Sequence, residues 1–263
     1  MKKAGLKFLA LSCTGYFLLC AFLYFYQDNL LYFPKDREVA NPENTYLLKT
    51  DVGNTVVTTE VRNQRKALIY FGGNAEDVSK RLEDFKQTFP NHSLYLLHYR
   101  GYGGSDGNPR EESIYQDAQA LYERVQKDHT EIVLMGRSLG TGIATRLAAE
   151  KAIENLILVT PYTSIEDLAS ERYWGVPVSL LLKDKYLSWQ YAQLVKADTA
   201  VFLAEQDQVI APANTLKLLE YFKPGVATLY RFEDKDHRTV ATNPKYFELL
   251  KELTQAKDLE ASR

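Results

Sequence analysis

Beyond residue 20 the chain contains no cysteine, since its two, Cys13 and Cys20, both lie in an apolar stretch near the N-terminus. No disulfide staples the body, which suits a reducing or an oxidising compartment alike. Four histidines without body cysteines offer a poor ligand set for structural zinc, so no metal is expected; no organic cofactor is expected either. No block of Lys and Arg stands out along the body, and a formal charge of −2 leaves no electrostatic footprint for nucleic acid. Disorder is excluded by composition, with 45 % hydrophobic and 25 % charged residues and 18 Tyr, 12 Phe and 2 Trp to fill a core. Internal repeats and low-complexity tracts are absent, and 263 residues suit one large domain.

Charge is also missing from Phe8 to Tyr26, nineteen residues flanked by Lys2, Lys3 and Lys7 on one side and by Gln27 and Asp28 on the other. A helix of this length crosses a bilayer, with Tyr24, Phe25 and Tyr26 at the far interface, where amphipathic rings are favoured. A cleavable signal begins in the same way, but no small-x-small cleavage site follows the run. A lipoprotein signal ending at Cys13 is the shorter alternative, because only five residues separate Lys7 from that cysteine. A buried core helix would carry one apolar stripe, whereas this run is apolar on every face. The organisation expected is therefore a cytoplasmic N-terminus at 1–7, a transmembrane signal anchor at 8–26, a linker at 27–45, a folded domain at 46–256 and a polar tail at 257–263. The positive-inside rule keeps the lysines in the cytoplasm and puts the domain on the opposite side, the periplasm in a bacterium.

Within the body, short apolar runs alternate with segments of helical period, the pattern of a mostly parallel sheet with helices on both faces. Strands are predicted at 46–48, 56–61, 67–71, 94–98, 132–135, 156–159, 200–204 and 228–232. Helices are predicted at 77–89, with Asn74 as a candidate cap, and at 112–127, 139–150, 214–222 and 246–253. The stretch 162–196 breaks the alternation. It reads either as a lid or as one more helical layer burying Trp174, Leu180, Leu181 and Trp189.

The chemistry centres on Gly136-Arg137-Ser138-Leu139-Gly140, which follows the apolar run 132–135 and opens a helical pattern at Leu139, Ile143 and Leu147. A G-x-S-x-G motif between strand and helix sets a serine on a strained turn with its hydroxyl exposed, and side chains at the flanking glycines would collide with neighbouring elements. Three further segments accompany it: Phe71-Gly72-Gly73-Asn74-Ala75, the glycine-rich Arg100 to Gly107, and acid and histidine regions near the end. From about Tyr46 to Thr254 the chain resembles the α/β-hydrolase superfamily, and is most similar to small membrane-anchored hydrolases related to serine aminopeptidases and acyl-protein thioesterases.

That resemblance implies an α/β-hydrolase fold with a catalytic triad in the order Ser, Asp, His. Ser138 is then the nucleophile. His237, in Asp234-Lys235-Asp236-His237, is the base, and it is the one histidine beyond the serine. Asp207, in the loop after strand 200–204, is the acid in register, with Glu205 as its rival. The superfamily's His-Gly-x oxyanion segment is represented by Gly72-Gly73-Asn74, so the backbone N–H groups of Asn74 and Leu139 are the expected oxyanion donors. The 100–107 segment is expected to shape a loop. The expected activity is hydrolysis of an ester, thioester or amide through an acyl-serine, on a small-molecule or acylated substrate of lipophilic character, with a peptidase still open. A different class stays open too, a catalytically silent, membrane-tethered binding module on the same fold.

Overall fold

The computed structural model describes residues 2–261 apart from 39, 40, 52 and 63. Its strands are β1 (Thr45–Thr50), β2 (Gly53–Glu60), β3 (Lys66–Phe71), β4 (His92–Leu97), β5 (Glu131–Arg137), β6 (Asn155–Val159), β7 (Asp198–Ala204) and β8 (Ala227–Phe232). The helices are α1 (Lys2–Leu31), α2 (Leu82–Thr88), α3 (Glu111–Val125), α4 (Leu139–Glu150), α5 (Ile165–Arg172), α6 (Val178–Leu181), α7 (Ser188–Ala192), α8 (Pro212–Leu219) and α9 (Pro244–Ala261). Every predicted strand is present, with Val61 and His98 falling just beyond the ends of β2 and β4.

The strands form one sheet in the order β1-β2-β4-β3-β5-β6-β7-β8. Only β2 runs against the others. Central strands of a doubly covered sheet are apolar on both faces, which is why they read as continuous runs rather than alternations. In β3, Ala67, Ile69 and Phe71 join the core beneath α3, α4 and α7, while Leu68 and Tyr70 join the opposite core beneath α2 and α9. The chain leaves β3 for β4 on one side and returns to β5 on the other, so the carboxyl ends of β3 and β5 face a crevice between diverging loops. Such a switch point is where open α/β sheets bind ligands. Phe71 is in register with Gly136 there, which brings the loop after β3 alongside Ser138.

Three sequence expectations are corrected by the structure. The N-terminal helix does not stop at Tyr26 but runs to Leu31, so the expected linker 27–45 begins as helix and continues with a buried residue, Tyr32. The reason is tertiary: Gln27 Nε2 donates to the Leu181 carbonyl at 3.1 Å and its Oε1 accepts from Lys183 N at 2.8 Å, Asp28 pairs with Arg110, and the Tyr32 hydroxyl donates to Asp184 Oδ2 at 2.9 Å. The cap of the segment before α2 is Asp77, whose Oδ1 accepts from Ser79 N at 3.0 Å, rather than Asn74. Finally, the tail expected from 257 continues α9 to Ala261; its last two residues lie outside the described residues.

The 162–196 stretch holds α5, α6 and α7, and its large apolar residues divide. Trp189 packs on the core with its ring 5.7 Å from that of Tyr221, but Trp174 is 89 % and Leu180 81 % exposed. The loop 100–107 has four glycines at positive φ and is braced by the bidentate pair of Arg100 with Asp117, at 2.8 and 2.7 Å.

Candidate active site

Ser138 is the residue between β5 and α4, at φ 50° and ψ −119°. An L-residue with positive φ is strained, and the strain is held by packing on both sides. A Cβ on Gly136 would stand 2.5 Å from the Gly140 carbonyl oxygen, and one on Gly140 would stand 2.1 Å from that of Phe71. Helix α4 therefore leaves the strand end at a distance only glycine permits, and the serine hydroxyl is lifted into the crevice.

The structure brings the three expected triad residues together across 99 and 30 residues of sequence. His237 Nε2 lies 3.0 Å from Ser138 Oγ, and its Nδ1 lies 2.7 Å from Asp207 Oδ2. The other carboxylate oxygen of Asp207 accepts from the N–H groups of Val209 and Ile210, both at 2.8 Å, so the acid loop wraps its own side chain and fixes it. Glu205 is elsewhere, half-buried and paired with Arg231. The remaining histidines serve the fold. His129 bridges the Tyr95 hydroxyl and the Gln64 carbonyl, and His92 is buried beside Phe89. His98 meets Thr58 Oγ1, and burial pushes its pKa down to about 4, so it is neutral at physiological pH.

Of the two expected oxyanion residues, Leu139 opens α4, where the first N–H groups have no intrahelical acceptor. Asn74 lies in the turn after β3, beside Gly73, on which a Cβ would lie 3.4 Å from that of Ser138. The neighbouring N–H groups are engaged: Gly73 N donates to Glu76 Oε2 at 2.7 Å and Ala75 N to Asn74 Oδ1 at 3.0 Å. The Asn74 side chain also reaches the N-terminal helix, donating to the Leu31 carbonyl and accepting from Phe33 N at 3.0 Å.

Two functional residues escaped the sequence reading, Glu76 and Arg137. The Glu76 carboxylate accepts from Arg137 Nη1 at 3.0 Å, Arg81 Nε at 2.9 Å and the Tyr70 hydroxyl at 3.0 Å, all beneath the Gly73-Asn74 turn. Arg137 Nη2 in turn donates to the carbonyl of His237 at 3.0 Å. One ionic cluster thus ties the β3 turn, the serine elbow and the histidine loop into a single unit. A charged residue inside G-R-S-L-G, between a buried strand and a buried helix, was the available signal, because a buried cation requires a counter-charge. Burial by itself would raise the Glu76 pKa, but Arg137 and Arg81 outweigh it and hold the carboxyl below its ordinary 4.5. A carboxyl so depressed contributes stability that is complete above its unfolded pKa and is lost as pH falls through the folded value. Glu76→Gln should therefore lower unfolding free energy at pH 7 by roughly 3 to 5 kcal/mol, the usual result of leaving buried cations unpaired. Urea titrations of the micelle-bound protein should show the gap to wild type shrinking below pH 4.5. A gap that is absent at pH 7, or that widens in acid, would refute the ionic role.

Eight mostly parallel strands, a strained serine elbow at the switch point and a histidine after the last strand define an α/β-hydrolase fold. The chain is a member of the α/β-hydrolase superfamily. Residues 62–178 match the family described as serine aminopeptidase, S33. Protein bem46 of Schizosaccharomyces pombe is 26 % identical over 98 % of this chain and 94 % of its own length. The human alpha/beta hydrolase domain-containing protein 17B is 24 % identical, over 79 % of this chain and 73 % of that one. Among solved structures, an esterase of Pyrococcus furiosus superposes with a TM-score of 0.68 at 16 % identity, covering 85 % of this chain and 99 % of the esterase.

Proposed function

We propose that this protein is a membrane-anchored serine hydrolase that cleaves an ester, thioester or amide through an acyl-enzyme on Ser138. The observation that carries this reading is the continuous chain of hydrogen bonds from Ser138 through His237 to Asp207 on a strained turn at the mouth of the sheet. In this reading His237 carries its proton on Nδ1, held there by Asp207, and Nε2 takes the serine proton as Oγ attacks the carbonyl carbon. The N–H groups of Asn74 and Leu139 receive the oxyanion. His237 then hands the proton to the leaving alkoxide, thiolate or amine. A water molecule, deprotonated by the same nitrogen, releases the acid and restores the serine.

Helix α1 supports the anchoring half of the proposal. Its span Gly5–Leu31 is long and apolar enough to cross a membrane, with mean hydropathy 1.9 over its best window and none of that window buried in the protein. Its final turn is held to the domain by Gln27, Asp28 and Tyr32, contacts that suit a retained helix better than a discarded signal. In this reading, by the positive-inside rule, the lysines at its start favour a cytoplasmic N-terminus with the catalytic domain across the membrane.

A fluorophosphonate probe applied to carbonate-washed membranes should label the full-length protein at Ser138, in a domain protected from protease added on the cytoplasmic side. A silent binding module would remain unlabelled. Labelling that persists in Ser138→Ala, or label recovered only in the soluble fraction, would sink the reading.

A further inference from the structure

One sizeable hollow in the described structure lies away from the serine. A cavity of about 500 Å³ lies between the C-terminal half of α1 and the α5–α6 segment, a volume typical of small-molecule sites. Leu23 and Leu31 of α1 form one wall and Leu168 and Leu181 the other, the exposed Val209 stands at the edge nearest Asp207, and Glu171 and Arg172 add charged groups to the lining. Neither Ser138 nor His237 lines it, yet its inner rim meets the catalytic groups twice. Val209 follows Asp207 by two residues and donates its N–H to that carboxylate. The Leu31 carbonyl accepts from the side chain of Asn74, whose backbone N–H is assigned to the oxyanion.

The outer end leads toward lipid. Tyr16 donates its hydroxyl to the Gly175 carbonyl at 2.7 Å, so the loop between α5 and α6 touches α1 fifteen residues before Leu31. Gln27 meets Leu181 farther along, so at a helical rise of 1.5 Å per residue the α5–α6 segment accompanies α1 for about 16 Å, well into a span that is apolar enough for the bilayer. The same segment carries Trp174 and Leu180 almost fully exposed. Such groups are unfavourable in water and favourable at or below the lipid headgroups. Glu171 and Arg172, exposed on the last turn of α5, mark the polar edge of the cavity, their long stems able to carry the charged ends out to the interface.

We infer that this cavity is a binding site for one long aliphatic acyl chain, loaded sideways from the membrane, with the anchor helix as one of its walls. The inference rests on the serine-hydrolase reading above and names its substrate class: a lipid or lipidated molecule whose acyl group stays in apolar surroundings while its ester or thioester reaches Ser138. In this arrangement α1 is part of the specificity site as well as the tether.

The test uses full-length protein in phospholipid nanodiscs. Leu168→Trp and Leu181→Trp fill the cavity and should lower the ratio of kcat/KM for p-nitrophenyl palmitate to that for p-nitrophenyl butyrate by about tenfold or more, the equivalent of a few methylenes denied burial. A ratio equal to wild type would overturn the inference. A second measurement stands independently of folding in the variants. A fluorophosphonate with a long alkyl chain ending in a diazirine is reacted with wild-type protein, where Ser138 Oγ displaces fluoride, and is then irradiated. Cross-links in residues 23–31 of α1 or in α5–α6 support the site, and cross-links confined to other segments refute it. Failure of a short fluorophosphonate to label Ser138 would instead strike the hydrolase reading itself, so the two failures are told apart.

Discussion

Ser138→Ala and His237→Ala should each abolish turnover to the same level, and the double variant should be no slower than either. The serine supplies the atom that is acylated and the histidine the site that takes its proton, so either loss closes the same covalent route. Each single change is expected to reduce kcat by roughly 10⁶-fold, leaving the residual rate that binding and the oxyanion donors supply. The 3.0 Å contact between His237 Nε2 and Ser138 Oγ is what makes the two one device. Single-turnover kinetics on a p-nitrophenyl ester, with circular dichroism to verify the fold, decide the matter. Two losses that multiply in the double variant, or ordinary turnover in His237→Ala, would remove Ser138 and His237 from the chemistry.

Asp207→Asn should lower kcat by about 10⁴-fold while leaving the fold intact, because an amide at this position favours the wrong imidazole tautomer and supplies no charge to stabilise imidazolium. The Val209 and Ile210 N–H groups that hold the carboxylate can be accepted by the amide oxygen, so the loop keeps its shape. Glu205→Gln should change kcat little. It loses only a half-exposed pair with Arg231, of a kind worth about 0 to 1 kcal/mol in stability. Steady-state rates of the two variants side by side are sufficient, and the reverse order would mean that the acid loop acts through Glu205.

Much of the fold was legible because it is written in local pattern. A strand buried on both faces must be a short apolar run, and a helix against a sheet must repeat near every fourth residue, so the eight strands and the helices α2, α3, α4, α8 and α9 could be read without knowledge of contacts, whereas α5, α6 and α7 could not. The serine elbow was legible for a related reason, since the two glycines answer to contacts only a few residues or one neighbouring strand away. Glu76 and Arg137 were not. Their pairing spans 61 residues, and a glutamate in a loop looks the same in sequence whether it faces water or two buried arginines. The two tryptophans show the converse. Both fall in one aromatic-rich stretch, yet Trp189 is packed and Trp174 bare, a difference set by which face of the segment meets the core.

By itself, then, the sequence determined the alternation that forces a doubly covered parallel sheet, the position and strain of Ser138, and an N-terminal helix apolar on every face. These follow from periodicity, glycine placement and hydropathy, all of which act over a few residues. Only the tertiary structure decided that Asp207 rather than Glu205 meets His237, that Glu76 and Arg137 bind three loops into one unit, and that α1 continues past Tyr26 to wall a cavity beside the active site. Each of these depends on which distant surfaces end up in contact once the sheet closes, and a long-range contact between a helix end, a turn and a loop leaves no period in the chain that makes it.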